Sequence, residues 1–485
     1  MKIIINNISL SKEQVIPIIE NKKISMIIAG AGSGKSLTMV GKIKYMLDNN
    51  LIKDYEICAI TYTNKAVDSL KDKIYDATKK DIDVFTFHKL SLNIINKSNI
   101  KYSIVSNNLL EYIIDEFFYS KAFGNKILLK YIYNIFHIYL FRTNNNYKRI
   151  LRSNEYKMFK KTIISVINYV RSNNLINKLK SKSFNDKYYK EYLIIYIIYK
   201  IYDNELISSN QIDFDKMIEI ATDLIENKVV HLPYKLLIID EFQDTSLLRF
   251  NLIKSIVKNN NSKLCVVGDD YQSIYKFQGC DLDLFLNFNK EFLETKIYYL
   301  NETFRNSQEL IDIAGSFIMK NPYQIKKNLI SNLRLDNPIK IIKYSNTKKV
   351  LLELINKLPL DKEILILGRN NFDINKYIEG YKLIDNNLYL LNDSHKLKYM
   401  TIHSSKGLES DIVIILNLVD DIYGIPSKLK EDKLLSGLKR DEVYPYSEER
   451  RLFYVALTRT KSYVYLLVDN YNPSTFIKEL KNSIK

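Results

Sequence analysis

Residues 26–36 read MIIAGAGSGKS, and few stretches of this length constrain a fold so tightly. An apolar run reads as a buried strand. It breaks into glycines, and a Lys-Ser pair then opens a helical pattern. This is the strand–phosphate loop–helix unit. Its glycines let backbone N–H groups converge on phosphate oxygens, and the helix N-terminus adds partial positive charge. Lys35 is placed to reach the β- and γ-phosphates, and the Ser36 hydroxyl to bind Mg²⁺. Ala29 stands where the strict G-x-x-x-x-G-K-[ST] pattern has its first glycine, so the match is near rather than complete. Taken alone, the segment also fits a Gly-rich turn.

A chain of 485 residues exceeds one core, so several domains are expected. Hydrophobic residues make up 46%, enough for ordinary globular cores. The net charge is +17 and favours polyanionic partners. The same excess also follows from a Lys-, Asn-, Ile- and Tyr-rich composition, so it does not decide function. Cys58, Cys265 and Cys280 are scattered, with no C-x-x-C pair or His cluster, which argues against a metal centre or disulfide framework and for reduced cytoplasmic thiols. The N-terminal apolar run is too short for a signal peptide. Residues 192–201, YLIIYIIYKI, are too few to span a membrane and read as a buried helix. No membrane partner is expected.

Residues 24–90 alternate short apolar strands with helical segments, the pattern of a parallel nucleotide-binding sheet. Between about Ile95 and Asp203 glycine occurs only at Gly124, and the spacing turns helical. The α/β pattern returns at Tyr234, and a second α/β unit starts beyond about Asp281. Its strand candidates are 363–367, 399–402, 411–416 and 462–468. The expected organisation is a first domain over 1–92 and 206–280, a helical insertion over 93–205 and a second domain over 281–485.

Residues 236–244, LLIIDEFQD, place an apolar strand ahead of Asp240 and Glu241, at the carboxyl edge where α/β ligands bind. Asp240 suits Mg²⁺, and Glu241 suits polarisation of an attacking water. A D-E pair after a strand is often a solvated turn; paired with the phosphate loop it reads as an ATPase.

With these segments in view, the chain resembles the UvrD/Rep-type superfamily 1A DNA helicases, motif after motif. Residues 10–14 resemble the adenine-reading Q motif, AGAGSGKS motif I, and ITYTNKA (60–66) motif Ia. VFTFHKL (84–90) resembles the next DNA-contacting motif, and DFD (213–215) a short acidic segment. IDEFQDTS (239–246) resembles motif II and VVGDDYQSIYKFQG (266–279) motif III. LNETFRNSQEL (300–310), MTIHSSKGLES (400–410) and EERRLFYVALTRTK (448–461) resemble motifs IV, V and VI. Alanine at the first loop position is common in that family.

The resemblance implies two tandem RecA-like parallel-sheet domains, with a helical insertion in the first. It implies ATP and Mg²⁺ as cofactors, with the nucleotide held by Gln14, Ala29, Gly30, Ala31, Gly32, Ser33, Gly34, Lys35, Ser36, Phe304 and Glu409. Phe304 would stack on adenine and Glu409 lie near the ribose. Ser36 and Asp240 would hold the metal. Lys35, Asp240, Glu241, Gln272, Arg305 and Arg459 would be catalytic, with Gln272 sensing the γ-phosphate and the two arginines serving as fingers. DNA would meet Tyr62, Thr63, Asn64, Phe87, His88, Tyr275, Phe277, Thr401 and His403. Core packing is the competing assignment for Phe87 and Phe277, as a structural role is for the histidines.

Three positions depart from the family pattern. The W-R-G of motif III is Phe277-Gln278-Gly279, Leu37 replaces a frequent arginine, and Ser410 a frequent phenylalanine. The interval from Arg305 to Thr401 is also short, so the accessory 2B domain is expected to be absent or vestigial near 370–398. No room is expected after motif VI for a nuclease domain. The resemblance implies an ATP-dependent 3′-to-5′ motor on single-stranded DNA or tailed duplex. The alternatives are a helicase-like motor or sensor in a larger repair or phage-defence complex with a partner nuclease or repair factor, and a binding module with vestigial ATPase.

Overall fold

The structure is a computed structural model describing residues 3–106, 108–119, 149, 152–181, 186–391, 393–429, 432–439 and 442–481. Part of the expected helical insertion, 120–148, lies outside the described residues.

The first sheet contains β1 (Ile24–Ala29), β2 (Ile57–Thr61), β3 (Asp83–Thr86), β4 (Leu236–Ile239), β5 (Lys263–Gly268) and β6 (Lys296–Leu300). Their order is β6-β1-β5-β4-β2-β3, and every pairing is parallel. Both faces are covered, which is why the strands read as unbroken apolar runs. Along β1 the side chains alternate. Ile24, Met26 and Ile28 enter one core, and Ile27 and Ala29 the other.

The second sheet contains β7 (Ile339–Tyr344), β8 (Glu363–Gly368), β9 (Lys382–Ile384), β10 (Asn387–Tyr389), β11 (Lys396–Thr401), β12 (Ser410–Leu418) and β13 (Thr460–Asp469). Its order is β7-β13-β12-β8-β11-β10-β9. The strands from β7 to β11 are parallel, and β10 and β9 add an antiparallel hairpin at the edge. The hairpin turns on Asp385 and Asn386, both in the left-handed region (φ 48° and 66°), as a tight two-residue turn demands. Here too one strand feeds two cores: Leu365 and Leu367 of β8 point to one side, Ile364 and Ile366 to the other. These are two RecA-like α/β units in tandem.

The sequence boundary at 281 falls too early. The strand Lys296–Leu300 pairs with β1 from Lys296↔Ser25 to Leu300↔Ala29, so it belongs to the first sheet. An edge strand is half exposed, and its mixed pattern hid it among the helical segments after residue 281.

Between β3 and β4 the helices Asn154–Ser172 and Tyr189–Ser208 build a separate core that includes the apolar run 192–201. Leu434, Leu435 and Leu438 from the second unit complete that core. Asp213 fastens it to the first domain: its carboxylate accepts two N–H bonds from buried Arg171 and one O–H bond from the Tyr202 hydroxyl (2.6 Å), and caps the helix Phe214–Glu226.

Candidate nucleotide and nucleic-acid site

β1 delivers the phosphate loop at its carboxyl end, and the helix Lys35–Asp48 leaves it. Gly32 and Gly34 carry φ of 73° and 75°, open to glycine at little cost. A Cβ on Gly32 would lie 2.6 Å from Arg305 Cβ, and one on Gly34 2.4 Å from Gln14 Nε2. Ala29 ends β1, fully buried. Thr303 Oγ1 donates to Ala31 O (2.7 Å) and Phe304 N to Gly32 O (3.0 Å), so the loop is closed by the segment after β6. Ser33 Oγ donates to Gly30 O (2.9 Å).

Gln14 is engaged at both ends of its amide. Its Oε1 accepts from Ser11 N (2.9 Å) in a capping box, and its Nε2 donates to Ser33 O (3.2 Å). The amide nitrogen therefore braces the loop, and the amide oxygen braces the start of the helix Lys12–Ile19. Phe304 presents an open ring beside it, 52% exposed.

Asp240 and Glu241 follow β4, where Glu241 takes a left-handed φ of 47° that turns the chain sharply. Glu241 Oε1 is 3.3 Å from Lys35 Nζ, and Glu241 Oε2 accepts from Gln243 Nε2. Burial pushes the Glu241 carboxyl up, but Lys35 and Lys406 outweigh it and hold the group well below the usual range. Burial and then the neighbouring Glu241 push Asp240 the other way. A carboxylate and the Ser36 hydroxyl are hard oxygen donors that suit Mg²⁺, and the crowded acid pair invites a cation.

Gln272 follows β5, and its Nε2 donates to Asp269 Oδ2 (2.6 Å). Arg459, just ahead of β13, donates from Nη2 to Gln272 Oε1 (3.1 Å). Arg459 is 1% exposed, and burial and then Arg305 press its pKa down to about 9. A buried guanidinium beside the partly exposed one of Arg305 favours an anion between the sheets. Arg305 Nε donates to Glu409 Oε2 (2.7 Å), which ties the arginine to the glutamate expected at the ribose.

The aromatic positions divide. Tyr275, Phe277 and His403 cluster across the two units: Tyr275 Oη donates to His403 O (3.0 Å), and the Phe277 and His403 rings lie 5.5 Å apart, edge to face. Phe277 is 53% exposed. Thr401 Oγ1 sits beside Ser404 Oγ (2.9 Å) on the same loop. Thr63 and Asn64 are exposed at a helix start, which Thr63 caps through Ala66 N.

Phe87 is a correction. It is 2% exposed and packs edge to face on Tyr62 within the first core, so it offers no face for a base. It is the first residue of the helix Phe87–Lys97 and is buried there. Tyr62 is half-buried, bonded to Thr245 and covered by Arg249. His88 stacks on Phe214 (4.7 Å), and burial and then Arg249 press its pKa down to about 4.

Sequence reading passed over Lys406 although it lies within the motif V segment. It bonds Asp244, donates to Gln272 O (2.6 Å) and lies 4.0 Å from Glu241, so one cation of the second unit spans motifs II and III of the first. Gln243 and Thr303 were passed over in the same way.

A model of the UvrD/REP helicase N-terminal domain matches residues 10–293, more than half of the chain. The chain belongs to the UvrD/REP helicase family. It is similar to DNA helicase IV of Escherichia coli (strain K12), 26% identical over 505 residues covering 98% of this chain and 70% of that protein. ATP-dependent DNA helicase Rep of Buchnera aphidicola subsp. Schizaphis graminum is 29% identical over 364 residues, 72% of this chain and 51% of Rep. ATP-dependent DNA helicase PcrA of Staphylococcus epidermidis is 29% identical over 314 residues, 63% of this chain and 39% of PcrA. This UvrD/REP chain thus spans about half the length of Rep. Among its described residues no helix is long and apolar enough to cross a membrane.

Proposed function

We propose that this chain is an ATP-driven motor that travels 3′ to 5′ along single-stranded DNA. The reading rests above all on Arg459 reaching Gln272 across the two sheets. Family membership supports it, as do relatives named as ATP-dependent DNA helicases. The direction follows the family resemblance.

Residues 1–92 and 206–300 form the first motor domain, 93–205 the helical insertion and 301–485 the second motor domain. The loop amides and Lys35 hold the β- and γ-phosphates. Ser36 and Asp240 would hold Mg²⁺, which would supply charge neutralisation for a bound triphosphate. Glu241, kept ionised by Lys35 and Lys406, takes a proton from the attacking water as the bridging P–O bond to ADP breaks. Arg305 and Arg459 stabilise the charge that gathers on the phosphoryl oxygens. Phosphate release frees Gln272 and Arg459 to part, and the sheets open. Phe277 and the Tyr275–His403 cluster ride on that junction, so opening changes the grip on stacked bases. In place of an accessory domain, residues 382–389 form the β9–β10 hairpin, and the DNA track crosses the two sheets.

The test is displacement of streptavidin from oligonucleotides biotinylated at one end. ATP-dependent clearance from the 5′ end alone is expected; clearance from the 3′ end, or from neither, overturns the reading.

A further inference from the structure

Residues 324–331 return from the helix Gln308–Ile318 across the first domain and touch three parts of the nucleotide site. Leu329 lies over the loop, where a Cβ on Gly30 would sit 2.5 Å from its Cδ2. Ile330 O accepts from Thr303 N (2.9 Å), two residues before Arg305. Ile325 N and Gln324 Nε2 donate to Asp270 Oδ2 (2.8 and 2.6 Å).

Within this strap Lys327 turns inward. Its side chain is 1% exposed and pairs with Asp269 and Asp270, both wholly buried, and its Nζ lies 3.7 Å from the Tyr271 ring centroid. Burying such a triad costs heavily in desolvation, and apolar side chains of similar volume would stabilise the fold at least as well. Its geometry suggests what it gives in return. Asp269 offers Oδ1 to Lys327 and Oδ2 to Gln272 Nε2. The Gln272 amide is thereby turned so that Oε1 meets Arg459 Nη2.

We propose that Lys327 is a positioning residue for hydrolysis: by clamping Asp269 it sets the orientation of Gln272, and through Gln272 that of Arg459. The inference rests on the ATPase reading of this site. Lys327 touches neither the phosphate loop nor the aromatic cluster. Its loss therefore leaves nucleotide and DNA binding in place and removes the alignment of the second sheet with the reacting phosphate.

The experiment is a double-mutant cycle on DNA-stimulated ATP hydrolysis with Lys327→Met, Gln272→Ala and the two combined. Lys327→Met is expected to lower kcat about 10- to 100-fold, with KM for ATP and affinity for single-stranded DNA within about threefold of wild type. Added to Gln272→Ala it is expected to lower kcat no further, because both act through one amide. A wild-type kcat, or a loss that multiplies with that of Gln272→Ala, overturns the proposal and leaves Lys327 a role in folding only. If Lys327→Met does not fold, Lys327→Gln, which keeps a neutral donor, is judged by the same criteria. A wild-type protein without DNA-stimulated hydrolysis fails earlier and removes the functional reading itself.

Discussion

Arg459 Nη2 lies 3.1 Å from Gln272 Oε1, although Arg459 directly precedes the last strand of the second sheet and Gln272 follows a strand of the first. The contact makes a chemical site out of two folding units. Arg459→Ala should lower DNA-stimulated ATP turnover by about 10³-fold, the scale of an arginine finger. Affinity for a non-hydrolysable ATP analogue should change only a few-fold, since Lys35 and the loop remain. Steady-state turnover and equilibrium binding on one preparation check both parts.

Phe277 and Phe87 should respond in opposite ways. Phe277→Ala removes an exposed ring and should weaken single-stranded DNA binding by about 1–3 kcal/mol, with the melting temperature nearly unchanged. Phe87→Ala empties a core position and should cost about 3–5 kcal/mol of stability. Urea denaturation and fluorescence-anisotropy titration separate the two outcomes.

The phosphate loop and the Asp240–Glu241 pair were legible because their chemistry is local: glycines, a lysine and two acids at fixed offsets from an apolar strand. The RecA-like class was legible for the same reason, since both buried sheets write themselves as apolar runs. Phe87 misled because proximity to a motif does not fix the direction of a side chain; one step into a helix turned it into the core. Lys327 gave no signal at all. It meets Asp269 from 58 residues away, and in a lysine-rich chain one more lysine stands out in no way. The commitment of Gln14 to the loop was equally silent, because it depends on where the capped helix Lys12–Ile19 docks.

Arg171 and Asp213 anchor the helical insertion through a buried two-bond pair. Arg171→Met leaves the Asp213 charge without its partner in the interior and should cost about 3–5 kcal/mol. The loss should appear as a lower unfolding midpoint, measured by circular dichroism.

Two histidines predict a pH dependence. His88 and His403 are each pressed to about 4, by burial first and then by cationic neighbours, Arg249 for His88 and Arg369 with Lys406 for His403. Their folded pKa lies below the unfolded value of 6.5, so the unfolded chain binds more protons between about pH 4 and 6.5. Their stabilisation is full above that window and is lost as the pH falls through it. Asp244, raised to about 6 by burial, slopes the other way, so the difference between proteins is the useful curve. His88→Gln with His403→Gln should flatten the acid-side fall in melting temperature relative to wild type.

The central claim is that nucleotide chemistry and the DNA track are joined through the junction of the two sheets. ATP hydrolysis with and without single-stranded DNA, in wild type and in Lys35→Ala, tests it most directly. The account predicts strong stimulation by DNA in wild type and none in Lys35→Ala, while Lys35→Ala still binds DNA. Hydrolysis indifferent to DNA in wild type, or DNA-stimulated hydrolysis surviving in Lys35→Ala, would contradict it.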